Sequence, residues 1–290
     1  MADSIIEFFD QLLVDPDNQM RVNFLDVSSS KGIDGTGAYF SCHMVRVNSS
    51  GKDRVQEIAN FVSAKIIDYA IPKTKRREAQ EHLVATGSSD KYVALMKEAK
   101  SLFTDIKNSG EGGEILLYVF ANAFLKIPQV LCKMPLKTNP QVHYHGVDGL
   151  HAKHDKDSNQ LLLYWGESKI YSDLQQAFTD CFDSISNLLL SDGSTGAPAE
   201  RDLQLFRDNI DLDNEVLEKI VLSYLDPSDE NNLRLVHCGI CLIGFDEEAY
   251  KNTTEEAIKE ALEKRVASWE LSRWKMDDDY CHRSGNVGSC

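Results

Sequence analysis

The 290-residue sequence predicts a mixed fold of the α/β or α+β class, in which helices flank one sheet and a helix-rich segment comes first. From Glu111 onward, the spacing of apolar residues predicts a helix, three strands, a helix, an inserted pair of helices, a strand and a last helix. That order is typical of a mixed sheet with helices on both faces. With 42% hydrophobic and 27% charged residues, the chain can also bury a sizeable core.

The sequence of residues 1–108 predicts a helix-rich N-terminal segment. We expect a regulatory or partner-docking role for this segment. Its first helix, from about Ser4 to Val14, carries acids among its apolar residues and has no basic start, so it is not typical of a signal peptide. An alternating run predicts a strand or hairpin from about Thr36 to Val47. Helical spacing then predicts helices at about 53–68, 75–83 and 90–103.

The sheet-containing domain is predicted for residues 109–276, and it begins within the turn-rich boundary at 108–114. The helix EILLYVFANAFL is apolar on nearly every side and is therefore expected in the core. Strands are predicted for QVLCKM, VDGLHA, LLLYWGESKI and the long apolar run LRLVHCGICLIGF. SDLQQAFTDCFDSISNLLL and NTTEEAIKEALEKRVASWELSRW predict capped amphipathic helices, a helical insertion is expected near 200–226, and a polar tail at 277–290.

Charge and cysteine content narrow the class of protein. The formal net charge of −15 argues against tight, independent binding to nucleic acid, because such binders usually carry a basic surface. Seven cysteines, an odd number scattered through the chain, favour reduced thiols in a cytoplasmic protein. The C-x-x-C pair Cys238 and Cys241 lies in a predicted buried strand and lacks the second pair that zinc needs. We expect no membrane span, because there is no apolar run of about 18 residues.

The strand LLLYWGESKI ends in a chemically informative pair. Glu167 and Lys169 are two residues apart on a strand, so they share one face. If Asp148, on the neighbouring predicted strand, points into the same space, two carboxylates and an ammonium group meet at one edge of the sheet. Two carboxylates suit Mg²⁺ or Mn²⁺, which polarise a phosphodiester and acidify a bound water. A lysine beside them orients the attacking water, whereas the simpler interpretation is an ordinary cross-strand ion pair.

The pattern D…E-x-K resembles the motif of the PD-(D/E)xK nuclease superfamily. The order predicted from Glu111 onward is similar to the α-β-β-β-α-β order of that superfamily's core. Val147 stands before Asp148, where many members have proline, but that position serves the geometry of a turn and not the chemistry. The resemblance implies a restriction-endonuclease-like core and a metal-dependent nuclease activity.

Four longer motifs make the resemblance closer. GEGGEILLYVF, KMPLKTN, HGVDGLH and LLYWGESKIY occur in this order and resemble the nuclease subunit of the Hachiman anti-phage defence systems, the HamA family. The resemblance is firm from about Gly110 to Leu190 and looser elsewhere. It implies a Mg²⁺-dependent deoxyribonuclease in a heterodimer with a superfamily 2 helicase of the same system, which holds and regulates it. It implies Asp148, Glu167 and Lys169 as catalytic residues, with Asp148 and Glu167 as the metal ligands.

The same resemblance suggests an acidic residue on the preceding helix, Glu114, as a further catalytic residue. Glu111 lies three residues earlier and shares the same helix face, so the choice between the two stays open. A purely structural alternative also exists for Glu114, because a carboxylate near a helix N-terminus is favoured by the helix dipole.

Candidate DNA contacts come from basic residues and one histidine. They are Lys133, Lys137, His145, and the basic cluster Lys73, Lys75, Arg76 and Arg77. Lys133 and Lys137 precede the predicted catalytic hairpin. Three roles stay open for them: contact with the DNA backbone, neutralisation of the acidic residues, or simple solvation at the surface. Two interpretations of the basic cluster stay open. It is either a solvated helix face or a contact to DNA phosphate or an acidic partner.

Two other functions stay open. The first is a zinc hydrolase, whose candidate ligands are His143, His145, Asp148, His151, His154 and His237. Their spacing departs by one residue from the H-x-H-x-D-H run of metallo-β-lactamase-like hydrolases. The second is a catalytically inert subunit that caps or regulates the helicase. Trp165 is expected to pack in the core, and Gln175 and Gln176 to lie on an exposed helix face. The chain contains neither a G-x-S-x-G elbow nor a Walker A run.

Overall fold

The computed structural model describes residues 2–14, 19–33, 36–103, 110–137, 147–189, 198–250 and 254–272. Contacts divide the chain into two compact units, a larger one within 1–17 and 62–245 and a smaller one within 18–61 and 246–290. This division differs from the boundary that the sequence predicts between residues 108 and 109. That predicted boundary stays a prediction.

Helices and strands of the described residues follow the expected mixed class. The helices are α1 Ala2–Gln11, α2 Val55–Ala64, α3 Ile66–Ala70, α4 Lys73–Thr86, α5 Asp90–Ser101, α6 Glu111–Phe120, α7 Met134–Lys137, α8 Leu174–Leu189, α9 Pro198–Asn209, α10 Glu215–Leu225 and α11 Glu255–Ser272. The strands are β1 Phe24–Gly32, β2 Tyr39–Val45, β3 Gly149–Asp155, β4 Gln160–Ile170 and β5 Leu235–Gly244. The predicted fold class, a mixed α/β chain, is therefore confirmed.

The larger unit contains a mixed sheet in the order β3-β4-β5. β3 and β4 form an antiparallel hairpin, and its turn places Asn159 at a positive φ of 53°, a conformation that asparagine tolerates better than most residues. β4 and β5 are parallel, in register from Leu161 opposite Leu235 to Ile170 opposite Gly244. A parallel pair needs a long crossover, which here is the run through α8, α9 and α10. β4 is therefore the central strand and carries the candidate residues at its C-terminal end.

One predicted strand of this sheet is reduced to a single bridge. QVLCKM was expected to form a strand, but only Gln129 pairs, opposite His151, before the chain turns into α7 at Met134. The flanking hydrogen bonds are Val130 N to Leu150 O at 3.0 Å and Ala152 N to Pro128 O at 3.1 Å. Pro128 has no N–H, so the pairing cannot extend through it as a ladder. The observed order is thus helix, bridge, strand, strand, helix, strand.

α1 contributes apolar side chains to the main core. Ile5, Phe9 and Leu12 belong to the same buried cluster as Leu163 and Trp165 of β4. The helix predicted from about Ser4 to Val14 is therefore present, and it packs against β3. Its amphipathic character reflects this packing, because a helix with one apolar stripe buries that stripe against a neighbouring element.

The other predicted N-terminal helices are present as α2 to α5, and the predicted strand from Thr36 to Val47 is present as β2. β1 was not predicted, because its sequence FLDVSSSKG has three consecutive serines where a strand usually has apolar or β-branched residues. β1 pairs antiparallel with β2, and the register shifts twice along the pair. These irregularities fit a strand that is mostly exposed.

In the smaller unit, Glu255 at the start of α11 joins the helix to the segment after β2. Its carboxylate accepts hydrogen bonds from Arg46 Nε at 3.1 Å and from the Val47 backbone N at 3.0 Å. Charge-assisted bonds of this kind are stronger than neutral ones. The hydroxyl of Tyr250 adds a bond of 3.0 Å to Val45 O. The α11 helix corresponds to the predicted helix NTTEEAIKEALEKRVASWELSRW, while the predicted tail at 277–290 lies outside the described residues.

Within the described residues, no helix is both long and apolar enough to cross a membrane. Cys42, Cys132, Cys181, Cys238 and Cys241 are free thiols. Cys238 is buried in β5, as predicted for the C-x-x-C pair, and Cys241 is half-buried on the same strand.

We predict that Leu163→Ala lowers the free energy of unfolding by about 2–5 kcal/mol, the usual cost of truncating a fully buried leucine. Leu163 is 0% exposed in the central strand, whereas Leu233 is 89% exposed. The control Leu233→Ala should stay within about 0.5 kcal/mol of the parent. Urea unfolding followed by circular dichroism measures both, and equal losses would contradict the assignment of β4 to the core.

Candidate active site

The pairing of β3 with β4 places Asp148 opposite Glu167. Gly149 is the partner of Gly166 in the antiparallel ladder, and the Asp148 N–H donates to Gly166 O at 2.8 Å. The residue before Gly149 therefore faces the residue after Gly166. Directly opposed residues on an antiparallel pair lie within about 5.5 Å at their Cα atoms. The hairpin thus brings together the two carboxylates that the sequence pattern predicts.

Ser168 fixes the carboxylate of Asp148. The backbone N of Ser168 donates to Asp148 Oδ2 at 2.8 Å, and its hydroxyl donates to the same oxygen at 2.6 Å. Two donors on one oxygen hold the carboxylate in a single orientation. Sequence analysis did not assign Ser168 a role, although the residue stands between Glu167 and Lys169 in the motif. The available signal was its hydroxyl, since a buried serine needs a hydrogen-bond acceptor.

Glu167 and Lys169 form an ion pair, with Lys169 Nζ 2.6 Å from Glu167 Oε1. Glu167 is buried and Lys169 is partly exposed at the end of β4. Burial alone would lower the pKa of Lys169, but the hydrogen bond to Glu167 and the charges of Glu167 and Asp148 outweigh it and raise the pKa. Lys169 is therefore a firmly protonated group beside two carboxylates.

Glu114 joins this group from α6. It is buried, and its Oε2 accepts a hydrogen bond of 3.0 Å from the hydroxyl of Tyr69 on α3. Burial raises the pKa of Asp148, and the negative charges of Glu167 and Glu114 raise it further. The hydrogen bond from Ser168 and the charge of Lys133 act in the opposite direction. Glu111 is buried as well, so the choice between Glu111 and Glu114 stays a prediction.

A close approach of α6 to β4 makes this convergence possible. A Cβ atom on Gly113 would lie 2.7 Å from Ser168 Oγ, and one on Gly166 would lie 2.8 Å from Leu117 Cδ2. Glycine at both positions leaves room for helix and strand to meet at these points. Among the glycines of GEGGE, Gly113 is the one with a close neighbour, and Glu114 follows it directly.

Lys133, one of the candidate DNA contacts near the hairpin, lies in the interior of the protein and not on its surface. Lys133 is only 2% exposed. Its charge lowers the pKa of Asp148 and of Asp202. Of the alternatives weighed from the sequence, neutralisation of the acidic residues fits this burial and contact with DNA does not. Lys137 ends α7 and its side chain is not described, and His145 lies outside the described residues.

The basic cluster of α4 is paired with acidic side chains. The ion pairs are Lys75 with Glu98 at 2.7 Å, Arg76 with Asp68 at 2.9 Å, and Arg77 with Asp213 and Glu81 at 2.7 Å each. Lys73 is half-buried and donates to Leu12 O at 3.3 Å. Burial and the neighbouring Arg76 lower the pKa of Lys73 to about 8. The charges of this cluster are therefore largely balanced inside the protein, so the structure gives little support to its predicted contact with DNA phosphate.

The described histidines do not assemble a zinc site. His151 is fully buried on β3, with its Nδ1 3.3 Å from Ile127 O, and burial lowers its pKa to about 4. His154 is three residues further along the strand and therefore points to the opposite face. His237 accepts a hydrogen bond from Trp165 Nε1 at 3.0 Å. Among the described residues, no group of three or more His, Cys, Asp and Glu side chains is arranged to enclose a metal ion. His143 lies outside them.

Two further expectations concern residues beside the motif. Trp165 is buried and packs in the core, as predicted. Gln175 and Gln176 are exposed at the start of α8, and Gln176 Nε2 donates to Asp180 Oδ1 at 2.6 Å on the same helix. Asp173 caps this helix by accepting from the Gln176 N at 2.7 Å, as the sequence predicts.

Comparison with known proteins gives one family. A family model described as HamA matches residues 20–279. The match covers β1 and β2 as well as α6, the hairpin, α8 and β5. A search of curated proteins gives no match.

We predict that Asp148→Asn stabilises the metal-free protein at about pH 7, by the roughly 0.5–2 kcal/mol typical of single stabilising changes. The pKa of Asp148 is raised in the folded protein, so its ionisation opposes folding as the pH rises above the pKa of the unfolded carboxyl, and the penalty is complete above the folded pKa. The gain should shrink when the pH is lowered towards about 4, because the wild-type carboxyl takes up a proton as the pH falls through its raised pKa. Asparagine keeps an oxygen that accepts from Ser168.

Urea unfolding at both pH values tests this expectation, with the exposed Asp157→Asn as the matched control. A destabilising effect of Asp148→Asn at about pH 7 would show that the carboxylates are not in mutual repulsion.

Proposed function

The chain belongs to the HamA family, which makes it a component of a Hachiman defence system, and we propose that it is a metal-dependent DNA nuclease acting in that system. The observation that carries the proposal is the meeting of Asp148 and Glu167 across the β3–β4 hairpin, with the Lys169 ammonium 2.6 Å from Glu167. The arrangement has the residue types, the strand placement and the neighbouring helix of the D…E-x-K pattern. It is of the kind that hydrolyses phosphodiesters.

The donor set fits a hard divalent cation such as Mg²⁺ or Mn²⁺. Asp148 and Glu167 offer carboxylate oxygens; burial and then the charge of Glu167 raise the pKa of Asp148, so a nearby cation would relieve an unfavourable charge. Mg²⁺ is commonly bound by one or two carboxylates together with waters and substrate phosphate, which agrees with a site of two strand ligands and no enclosing cage. When bound, such an ion supplies Lewis-acid polarisation of the phosphodiester and a more acidic water.

The side chains of the chain itself supply orientation and charge. Lys169 uses one of its donors on Glu167, and an ammonium group has three, so others remain to orient a water or to contact a phosphate oxygen. The positive charge of Lys169 offsets the negative charge that develops on the phosphate oxygens during attack. Ser168 keeps Asp148 in place, and buried Glu114 adds negative charge behind the pair. Rigid placement of this kind is what lowers a barrier without reorganisation.

We propose a helicase as the partner that brings the nuclease to DNA. The net charge of −15 and the internal pairing of the basic cluster leave the chain without an evident DNA-binding surface among the described residues. DNA affinity depends strongly on phosphate neutralisation by lysine and arginine. A partner that binds DNA supplies this neutralisation of phosphate charge and also confines cleavage to the bound site. Both effects support the proposal of a regulated heterodimer.

The N-terminal segment, residues 1–108, is the proposed docking region. α1 is packed into the main core, and Tyr69 is hydrogen-bonded to Glu114, so a truncation at residue 110 would disturb the fold and the site together. Surface substitutions are therefore the appropriate test. Val84 on α4 is 81% exposed and Val93 on α5 is largely exposed too.

An inert, helicase-capping subunit is the second candidate function. The observation that favours it is the hydrogen bonding of the site, in which Lys169 pairs with Glu167 and Ser168 donates to Asp148 Oδ2. Metal titration separates the two functions. If the chain, with its partner and DNA present, binds neither Mg²⁺ nor Mn²⁺ at Asp148, the regulatory function is correct.

We predict that Glu167→Gln and Lys169→Met each lower divalent-dependent DNA cleavage by at least about 100-fold, because each removes a group that binds or stabilises charge at the reacting phosphate. The measurement is cleavage of linear DNA by the complete complex with Mg²⁺ or Mn²⁺, and chelation should stop it.

The controls are Lys153→Met and Asp157→Asn, two exposed residues on or just after β3. They should retain the parent rate. Undiminished cleavage by folded Glu167→Gln and Lys169→Met proteins would end the nuclease assignment of this site.

We predict that Val84→Asp and Val93→Asp together weaken the complex with the helicase at least tenfold, because a charge replaces an apolar side chain in a desolvated interface. Val216→Asp is the control, since Val216 is also exposed but lies on α10, outside the N-terminal segment. Co-purification and a dissociation constant measure the effect. Unchanged affinity for the double variant, with loss for the control, would place docking elsewhere.

A further inference from the structure

One hydrogen bond joins the N-terminal segment to the candidate site. The hydroxyl of Tyr69, on α3, donates to Glu114 Oε2 at 3.0 Å. Both side chains are in the interior, since Tyr69 is 1% exposed and Glu114 is 7% exposed. A carboxylate at this depth needs hydrogen-bond donors, because its charged form is costly to bury alone. Tyr69 is therefore a direct contact of one of the acidic residues considered for the site.

The Tyr69 side chain is held from several sides. Its ring packs against Tyr118 of α6, with ring centroids 5.4 Å apart, and against Phe103, with centroids 6.2 Å apart. At its backbone, the thiol of Cys132 donates to Tyr69 O at 3.4 Å. Burial and then the charge of Glu114 raise the pKa of Tyr69, so its hydroxyl keeps the proton that it donates. Side chains fixed by packing in this way can place a second group precisely.

Glu114 lies where α6 meets the strand end that carries the D…E-x-K residues. A Cβ atom on Gly113, the residue before Glu114, would lie 2.7 Å from Ser168 Oγ. The same hydroxyl donates to Asp148 Oδ2 at 2.6 Å. The first turn of α6 is thus next to the serine that orients Asp148, and the bond from Tyr69 acts on the carboxylate of that turn.

We propose that Tyr69 is a positioning residue, whose hydroxyl holds the Glu114 carboxylate in the orientation that the metal site needs. The proposal rests on the proposed nuclease function, with Glu114 as the acidic residue of α6 that takes part in it. It gives the N-terminal segment a share in the site as well as in docking. Without this hydroxyl, the carboxylate loses a fixed donor and gains rotational freedom. Removing a group that orients a metal site typically changes metal affinity by about 10–100-fold.

The test measures Mn²⁺ binding by the full-length protein, through the electron paramagnetic resonance signal of free Mn²⁺. Tyr69→Phe removes only the hydroxyl and should weaken Mn²⁺ binding at least about tenfold. Tyr118→Phe is the matched control, because Tyr118 is also a buried tyrosine and packs against Tyr69. The control should bind Mn²⁺ as the parent does.

A double-mutant cycle shows whether Tyr69 acts through Glu114. Glu114→Ala should weaken Mn²⁺ binding at least about tenfold. Tyr69→Phe in the Glu114→Ala background should add less than about twofold, because the group that it positions is already gone. An equal loss on Tyr69→Phe with and without Glu114 would contradict the inference, since the hydroxyl would then act by another route.

Thermal unfolding of each variant separates positioning from simple stabilisation. A lower melting temperature of Tyr69→Phe with parent-like Mn²⁺ affinity would overturn the inference, and so would equal weakening by Tyr69→Phe and Tyr118→Phe. If Tyr69→Phe does not fold, Glu114→Asp replaces it, since it keeps the charge but draws the acceptor away from the hydroxyl. Glu114→Asp should bind Mn²⁺ at least about threefold more weakly. Parent-like affinity of Glu114→Asp would then refute the positioning role.

Failure of the proposed function gives a different pattern. If the parent protein itself binds no Mn²⁺ and Glu167→Gln changes nothing, the metal-dependent nuclease proposal is wrong, and the inference about Tyr69 fails with it. If the parent binds Mn²⁺ and loses it on Glu167→Gln, while Tyr69→Phe or Glu114→Ala binds normally, only the inference about Tyr69 is wrong.

Discussion

The register of β3 against β4 is the constraint on which the candidate site depends. A slip of one residue would turn every side chain of the strand to the other face and separate Asp148 from Glu167. The glycine pair at the end of the ladder, Gly149 opposite Gly166, helps to fix this register. A Cβ on Gly149 would lie 2.8 Å from His151 Nε2, and one on Gly166 would lie 2.8 Å from Leu117 Cδ2. Neither position has room for a side chain, and at Gly166 the neighbour that fills the space is Leu117 of α6, the helix that carries Glu114.

The electrostatics of the site follow from this packing. Asp148, Glu167 and Glu114 are brought together away from water, and the result is a raised pKa for Asp148. Lys169 on the exposed side and Lys133 on the buried side compensate part of the charge. A fold optimised for stability alone would replace such a group by apolar side chains, because buried ion pairs rarely exceed a well-packed apolar core in stability. The convergence of three carboxylates at this place is therefore not explained by stability alone.

Sequence patterns predicted the central features and missed those that depend on distant contacts. Glu167 and Lys169 could be paired from their spacing, since a strand places every second side chain on one face. The position of Asp148 followed from a hairpin with a recognisable polar turn. The role of Ser168 and the burial of Lys133 could not be predicted, because both depend on partners 20 or more positions away or on how α6 and α9 pack. The QVLCKM strand was overpredicted because an apolar run does not reveal which hydrogen-bond partners its backbone will find.

The basic cluster of α4 shows why clustered charge in a sequence is weak evidence for a nucleic-acid surface. Arg77 pairs with Asp213, 136 positions away, and the Thr74 backbone N–H and hydroxyl bind Asp211 of the same acidic segment. The linear sequence shows four basic residues together, but the fold brings acidic residues to them. Because Lys75, Arg76 and Arg77 are paired with carboxylates of the same chain, their positive charge is largely offset, and the sequence alone overstates the charge that α4 presents.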